Sequence, residues 1–187
     1  MARYLDAIIA GFGGQGVMLI GNLLAYSGMQ DGLNATYIPV YGPEMRGGTA
    51  NCTVVLSDED IGSPIIHRPT SLIIMNRPSL DKFQPRLKDG GVQVINVSLV
   101  DRELADGKRT RPVFVPANEI ADKLGNVRMA NMVALGAYVQ ATGIVPLSAV
   151  VDALPNVISA RYAHLIPKNT EAIEAGAVVA GTVAGAA

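Results

Sequence analysis

The chain has 187 residues, a length that suits one domain with a complete core. Its formal net charge is −1, so overall charge would not attract nucleic acid or an anionic membrane. Hydrophobic residues make up 49% of the sequence, which excludes general disorder. One cysteine and two histidines cannot hold an iron–sulfur cluster or build a Cys-rich or three-histidine zinc site, so we expect no metal in this chain.

Short apolar runs alternate along the sequence with segments whose apolar residues recur at helical spacing. In chain order, these patterns predict a strand at residues 5–10, a helix at 17–29, strands at 35–40, 53–56 and 71–76, a helix at 80–87, strands at 91–96 and 113–116, and helices at 117–124, 128–142, 146–154 and 170–183. Ser79 is the expected N-cap of the helix at 80–87, with Asn76 as the alternative cap or as a ligand contact.

Strands that alternate with helices are typical of β-α-β units, which form a mostly parallel sheet covered on both faces. We therefore predict an α/β fold for residues 1–187, a single Rossmann-like domain with a mostly parallel sheet and helices on both faces. Residues 49–57 follow the second strand with no room for a helix between them, so an antiparallel strand insertion is expected there. Cys52 lies in this run and is expected to be a buried small hydrophobe rather than a reactive thiol.

Residues 11–16 read Gly-Phe-Gly-Gly-Gln-Gly and match G-x-G-x-x-G between a predicted strand and a predicted helix. Glycines allow a tight turn and close approach of a ligand to the backbone, and the helix N-terminus offers free N–H groups to an anion. The candidate site for a phosphate or carboxylate group therefore contains Gly11, Gly13, Gly14, Gln15 and Gly16. The alternative is that these glycines only allow the strand and helix to pack tightly.

Dinucleotide binding is the simplest function for such a loop, but the second strand argues against it. That function requires an acidic residue at the end of the second strand, where it binds the ribose hydroxyl. Here Asp31 precedes the strand and Glu44 lies beyond it in a loop. A stand-alone dinucleotide-dependent oxidoreductase and a CoA- or nucleotide-binding module without chemistry remain the two alternatives.

A second glycine-rich segment, Tyr-Gly-Pro-Glu-Met-Arg-Gly-Gly at residues 41–48, begins where the second strand ends. In an open α/β sheet, ligands bind at this edge. Arg46 can bind a phosphate or carboxylate through two parallel hydrogen bonds, and Glu44 can hold Arg46 in place. Glu44, Arg46 and Gly47 therefore join the candidate site. The alternative is a surface turn in which Glu44 and Arg46 only pair with each other.

The two glycine-rich loops at this spacing resemble those of the gamma subunit of 2-oxoacid:ferredoxin oxidoreductases. The similarity continues through residues 49–52, 61–64 and 131–136 and covers almost the whole chain. The form Tyr-Gly-Pro-Glu-x-Arg-Gly-Gly resembles the branch that acts on 2-oxoglutarate or branched-chain 2-oxoacids. Tyr41 departs from the histidine typical of the indolepyruvate branch.

The resemblance implies a subunit that is inactive alone and acts within a hetero-oligomer. The implied reaction is oxidative decarboxylation of a 2-oxoacid, in the first place 2-oxoglutarate, to its acyl-CoA with reduction of ferredoxin. Partner subunits would bind thiamine diphosphate, Mg²⁺ and the iron–sulfur clusters, while coenzyme A would be the co-substrate. This chain would form part of the active-site wall and of the CoA path, and the resemblance assigns no catalytic residue to it.

The expected compartment is the cytoplasm. A single cysteine cannot form an internal disulfide, which is typical of proteins in a reducing environment. The first six residues lack the long apolar stretch of a signal peptide.

Overall fold

The computed structural model describes residues 3–40 and 49–184, and in these ranges six strands form one sheet. The helices and strands, in chain order, are β1 (Tyr4–Gly11), α1 (Val17–Gln30), β2 (Asn34–Val40), β3 (Ala50–Ser57), β4 (Ser71–Ile74), α2 (Arg77–Phe83), β5 (Val92–Asn96), β6 (Arg111–Val115), α3 (Ala117–Lys123), α4 (Ala130–Thr142), α5 (Leu147–Val157) and α6 (Ile166–Ala184). Within these ranges, no helix is both long enough and apolar enough to cross a membrane.

The strand order of the sheet is β2-β3-β1-β4-β5-β6. The pairs β1–β4, β4–β5 and β5–β6 are parallel, whereas β3 runs antiparallel to both β1 and β2. The connection between β2 and β3 is shorter than the dozen or so residues that a parallel crossover requires, so the chain turns back. The predicted α/β fold and its antiparallel insertion are therefore confirmed.

The sheet is covered by helices on both faces, as predicted, but unevenly. Because side chains alternate along a strand, Leu5, Ala7 and Ile9 of β1 face one side and Ile8 and Ala10 face the other. The first set packs against α1, α3, α4, α5 and α6, which form the larger part of the core. The second set packs against α2 and the chain that follows it.

Helix α2 begins three residues before the predicted start at residue 80, and its cap is Asn76 rather than Ser79. The Oδ1 atom of Asn76 accepts a hydrogen bond from the backbone N–H of Ser79 at 2.9 Å. Pro78 fits this start because a proline in the first turn gives up no helical hydrogen bond. The expectation of Ser79 as the cap is therefore wrong, and the alternative, Asn76, is confirmed as the cap.

Helices α4 and α6 approach each other closely through two glycines. A Cβ atom added at Gly136 of α4 would overlap the carbonyl oxygen of Ile173 in α6. A Cβ atom added at Gly176 of α6 would overlap the carbonyl oxygen of Val133 in α4. The backbone of each helix thus occupies the space that a side chain would need on the other.

We predict that Gly136→Ala destabilises the chain by at least about 1–3 kcal/mol, because the two helices must separate to admit the methyl group. Gly181→Ala on α6 is the matched control, since the nearest atom to its added Cβ is Nε2 of Gln140 at 4.0 Å. The control should be neutral or stabilising by up to about 1 kcal/mol, because alanine favours helix. Urea denaturation measures both free energies, and equal midpoints for the two variants would contradict the packing described.

Candidate functional site

The loop between β1 and α1 places an uncapped helix N-terminus at the end of the central strand. Gly14 and Gly16 have φ angles of 91° and 71°, in the left-handed region that favours glycine. Gly16 is the N-cap of α1 and, having no side chain, makes no side-chain capping hydrogen bond. The first-turn N–H groups of this helix and the positive end of its dipole therefore face the loop, as an anion site requires.

The fold gives a reason for three of the four glycines in the loop. At Gly11, an added Cβ would lie 2.9 Å from Cβ of Met75 and 2.9 Å from Cγ1 of Val17. Gly14 and Gly16 need their positive φ angles. At Gly13, the φ angle is ordinary and no atom of the described residues lies within 4 Å of an added Cβ. The packing alternative thus accounts for Gly11, while the open space beside Gly13 has no packing explanation.

Gln15 ties the glycine loop to the junction between β4 and α2. Its Oε1 accepts hydrogen bonds from the backbone N–H of Phe12 at 2.6 Å and from Nδ2 of Asn76 at 3.3 Å. Its Nε2 donates to the carbonyl oxygen of Met75 at 3.3 Å. The sequence pattern grouped Gln15 with the ligand contacts, but the structure uses its amide within the protein, where it positions the loop.

Asn131 braces the other side of the loop, although it is far away in sequence. Its Nδ2 donates to the carbonyl oxygen of Gly16 at 3.3 Å, and its side chain is buried. Its Oδ1 accepts from the backbone N–H of Met132 at 2.9 Å. The candidate site predicted from the sequence did not include Asn131. Two signals pointed to it: the family resemblance through residues 131–136, and an amide at the start of a mostly apolar helix.

Glu44, Arg46 and Gly47 lie outside the described residues. The residues that flank this segment are described, and they lie at the edge where β1 ends. Val40 pairs with Asn51, and Ala50 pairs with Gly11. The two ends of the segment at residues 41–48 are therefore attached beside the glycine loop at residues 11–16.

The position of Asp31 and the strand order both argue against a dinucleotide site. Asp31 caps the C-terminal end of α1, one helix length from the glycine loop, and its carboxylate pairs with the guanidinium of Arg3 at 2.5 Å. Antiparallel β3 separates β2 from β1, so the neighbour of β1 is not the strand that carries the ribose-binding carboxylate in dinucleotide-binding folds.

Cys52 is fully buried in β3, and burial raises the pKa of its thiol to about 12. Its side chain lies where a Cβ atom on Gly21 of α1 would be, so it fills the contact between strand and helix. The expectation of a buried small hydrophobe is confirmed. Within residues 3–40 and 49–184, no group of three or more His, Cys, Asp or Glu side chains is placed to hold a metal ion.

Comparison with known proteins finds one family across most of the chain. The family model for pyruvate ferredoxin/flavodoxin oxidoreductase matches residues 6–179. The 2-oxoglutarate synthase subunit KorC of Methanothermobacter marburgensis is 37% identical over 174 residues, which cover 90% of this chain and 92% of that protein. The ketoisovalerate oxidoreductase subunit VorA of Methanothermobacter thermautotrophicus is 40% identical over 172 residues, which cover 90% of this chain. The chain spans only 35% of the length of VorA.

A solved structure has the same fold over nearly its full length. The gamma subunit of a keto/oxoacid ferredoxin oxidoreductase from Geobacter sulfurreducens superposes with a TM-score of 0.82 at 29% identity. The match covers 95% of this chain and 99% of that one.

We predict that Asn76→Ala destabilises the chain by about 1 kcal/mol or more, because α2 loses its cap and Gln15 loses a hydrogen bond. Ser79→Ala is the matched control, since the Ser79 hydroxyl is buried without a hydrogen-bond partner among the described residues. Removing that hydroxyl should leave stability unchanged or raise it. Chemical denaturation of both variants checks this, and a larger loss for Ser79→Ala would refute the assignment of Asn76 as the cap.

Proposed function

The chain belongs to the pyruvate ferredoxin/flavodoxin oxidoreductase family, and on that premise we propose that it is the gamma-type subunit of a 2-oxoacid:ferredoxin oxidoreductase. The reaction would be oxidative decarboxylation of a 2-oxoacid to its acyl-CoA with reduction of ferredoxin. KorC, a relative of similar length, carries 2-oxoglutarate synthase in its name, which supports 2-oxoglutarate as the first substrate to test. VorA carries ketoisovalerate oxidoreductase in its name, which makes a branched-chain 2-oxoacid the second.

The chain would act in a cytoplasmic hetero-oligomer rather than alone. Thiamine diphosphate, Mg²⁺ and iron–sulfur clusters would be held by partner subunits, and thiamine diphosphate would supply the covalent chemistry on the 2-oxoacid. The single cysteine supports this division, because a cluster needs several thiolate ligands. This chain would contribute part of the active-site wall and part of the path of coenzyme A.

The proposed role of the glycine loop is to bind the phosphates of coenzyme A. The observation that carries this role is the space beside Gly13, which no described residue fills and where the backbone is accessible at the N-terminus of a 14-residue helix. Backbone N–H groups and the helix dipole stabilise a phosphate at such a position. Gly14 and Gly16 would hold the turn, while Gly11 would keep the strand close to the helix.

Gln15 and Asn131 would act as positioning residues in this site. Gln15 holds the loop to the β4–α2 junction, and Asn131 holds the Gly16 carbonyl from α4. With the loop fixed on both sides, its N–H groups need no reordering when an anion binds, so less conformational entropy is lost. Glu44, Arg46 and Gly47 would complete the site, with the Arg46 guanidinium on a phosphate.

We predict that Gly13→Ala raises the KM for coenzyme A of the assembled enzyme about tenfold or more without lowering the melting temperature of the subunit. The added methyl group meets no described residue beyond its chain neighbours, whereas it would clash with a phosphate bound to the loop. Gly62→Ala is the matched control, because that exposed loop glycine also has open space around its Cβ position. Steady-state kinetics with varied coenzyme A measures both variants.

An unchanged KM for Gly13→Ala would refute the role of the glycine loop. A KM raised equally by Gly62→Ala would show that the effect is not specific to this loop. A lower melting temperature for Gly13→Ala would mean that the open space beside it has a structural function in this chain.

We predict that Arg46→Ala raises the KM for coenzyme A or lowers turnover by about tenfold to a hundredfold, because losing a guanidinium–phosphate contact costs about 1.5–3 kcal/mol. If Arg46 only pairs with Glu44 at the surface, the substitution would lower the free energy of unfolding by at most about 1 kcal/mol and leave the kinetics unchanged. Arg111→Ala is the control, since Arg111 is exposed at the opposite end of the sheet. Kinetics and thermal melting on the same preparation separate the two outcomes.

A further inference from the structure

Four side-chain amides lie in a row along the edge of the sheet where the parallel strands end. The strands β1, β4, β5 and β6 are neighbours in the sheet, and each ends in or is followed by an amide residue; in the same order these are Gln15, Asn76, Asn96 and Asn118. Asn76 donates to Gln15 at 3.3 Å, and Asn96 donates to Asn118 at 2.9 Å. Gln15 and Asn96 both donate to the backbone carbonyl of Met75, which joins the two pairs. The row therefore connects the glycine loop to the first turn of α3.

Asn96, the last residue of β5, uses both of its N–H groups and both lone pairs of its side-chain oxygen. Its Nδ2 donates to the carbonyl oxygen of Met75 at 3.5 Å and to Oδ1 of Asn118 at 2.9 Å. Its Oδ1 accepts from the backbone N–H groups of Ser98 at 3.3 Å and Ala117 at 3.2 Å. The side chain is 1% exposed, so these bonds are kept away from solvent. Turning the amide over would set oxygen against oxygen and N–H against N–H, so its orientation is fixed.

The oxygen and the nitrogen of this amide support different parts of the chain. The oxygen binds the first residue of α3 and the turn after β5, which is local support. The nitrogen reaches across to Met75, one residue beyond the end of β4. The backbone N–H of Met75 donates to the carbonyl of Ala10 in β1 at 2.9 Å. Met75 is thereby held from β1 on one side and from Asn96 on the other, at the carbonyl that Gln15 also binds.

The glycine loop depends on such external support because four glycines in six residues give it little stiffness of its own. Gln15 supplies part of that support, since its Nε2 binds the Met75 carbonyl while its Oε1 holds the N–H of Phe12 at 2.6 Å. The support is only as firm as the carbonyl to which it is attached. Asn96 holds that carbonyl from the side of β5, so the geometry of the loop depends on it.

We propose that Asn96 is a positioning residue of the glycine loop and acts on it through the Met75 carbonyl and Gln15. The inference rests on the proposed function of the loop where coenzyme A is the readout, whereas the effect on the loop itself is a property of this chain. If Asn96 served only to cap α3, its oxygen would be needed and its Nδ2 would not. A substitution that removes only the nitrogen therefore tests the proposal.

Asn96→Asp is that substitution. The carboxylate keeps both acceptors for the N–H groups of Ser98 and Ala117 but cannot donate to the Met75 carbonyl. Asn118 can turn its own amide over and donate to the new carboxylate. Asn118→Asp is the matched control, because it adds the same charge to the same row while one of its oxygens still accepts from Asn96.

Hydrogen–deuterium exchange of the whole chain gives the first readout. The backbone N–H groups of Phe12 and Gln15 are hydrogen-bonded within the loop, so their exchange reports how firmly the loop is held. We expect Asn96→Asp to speed their exchange about threefold to tenfold, the effect of losing one hydrogen bond of ordinary strength, and Asn118→Asp to leave it unchanged. Unchanged exchange in the core of α4 would show that the effect is local.

The KM of the assembled enzyme for coenzyme A gives the second readout. Asn96→Asp should raise this KM about threefold to tenfold above the value for Asn118→Asp, which carries the added charge alone. In a Gln15→Glu background, the loop has already lost its donor to the Met75 carbonyl. There, Asn96→Asp should add no more than Asn118→Asp adds, because substitutions that act through one contact are not additive. Fully additive effects would show that Asn96 does not act through Gln15 and would overturn the proposal.

The two readouts separate this inference from the function on which it rests. If Asn96→Asp and Asn118→Asp exchange alike at Phe12 and Gln15 while Gly13→Ala raises the KM, the positioning role is wrong and the loop function stands. If Asn96→Asp speeds exchange but Gly13→Ala leaves the KM unchanged, the loop is positioned as proposed and its function is wrong. If Gly13→Ala raises the KM and Asn96→Asp speeds exchange without raising it, the positioning role is refuted. Should Asn96→Asp fail to fold, Asn118→Leu takes its place with the same expected direction, because it removes the acceptor that orients the Asn96 amide.

Discussion

The short connection between β2 and β3 is the constraint on which the arrangement of the site depends. It leaves no room for a crossover helix, so β3 returns antiparallel and inserts between β2 and β1. One consequence is that the two glycine-rich segments are both attached where β1 ends, since Gly11 pairs with Ala50 and Val40 pairs with Asn51. The other is that β1 loses the parallel neighbour whose end carries the ribose-binding carboxylate of dinucleotide-binding proteins. The same insertion thus favours an anion site and disfavours a dinucleotide site.

The G-x-G-x-x-G pattern combines residues with different physical functions. Gly11 lies against Met75 and Val17, and Gly14 and Gly16 hold left-handed conformations. Gly13 and Gly14 both border space that no described residue fills, but only Gly13 of these two has an ordinary φ angle. A motif match cannot separate these functions, because each is decided by atoms from other parts of the fold. The separation matters for experiments, since alanine at Gly13 would alter the proposed anion site without meeting a described residue, while alanine at Gly11 would also disturb the packing beneath it.

Local patterns in the sequence predicted the fold well. The alternation of strands and helices, and the lack of room before residue 49, were enough to predict the α/β sheet with its antiparallel strand. The start of α2 was missed because Asn76 and Ser79 are both good capping residues, and the choice depends on where the chain leaves β4. The contacts of Gln15 with Met75 and of Asn131 with Gly16 join residues far apart in the chain, which periodicity and spacing cannot predict.

Two side-chain amides, those of Gln15 and Asn131, hold the glycine loop in place through hydrogen bonds. Gln15 forms hydrogen bonds with backbone groups of Phe12 and Met75, which hold the loop to the sheet. Asn131 donates to the backbone carbonyl of Gly16, which holds the N-terminus of α1 to α4. These hydrogen bonds also spare the two side chains the free-energy cost of burying an unpaired amide. Because both amides are already bonded within the protein, the loop that they hold would need no rearrangement to fix the position of an anion bound at the N-terminus of α1.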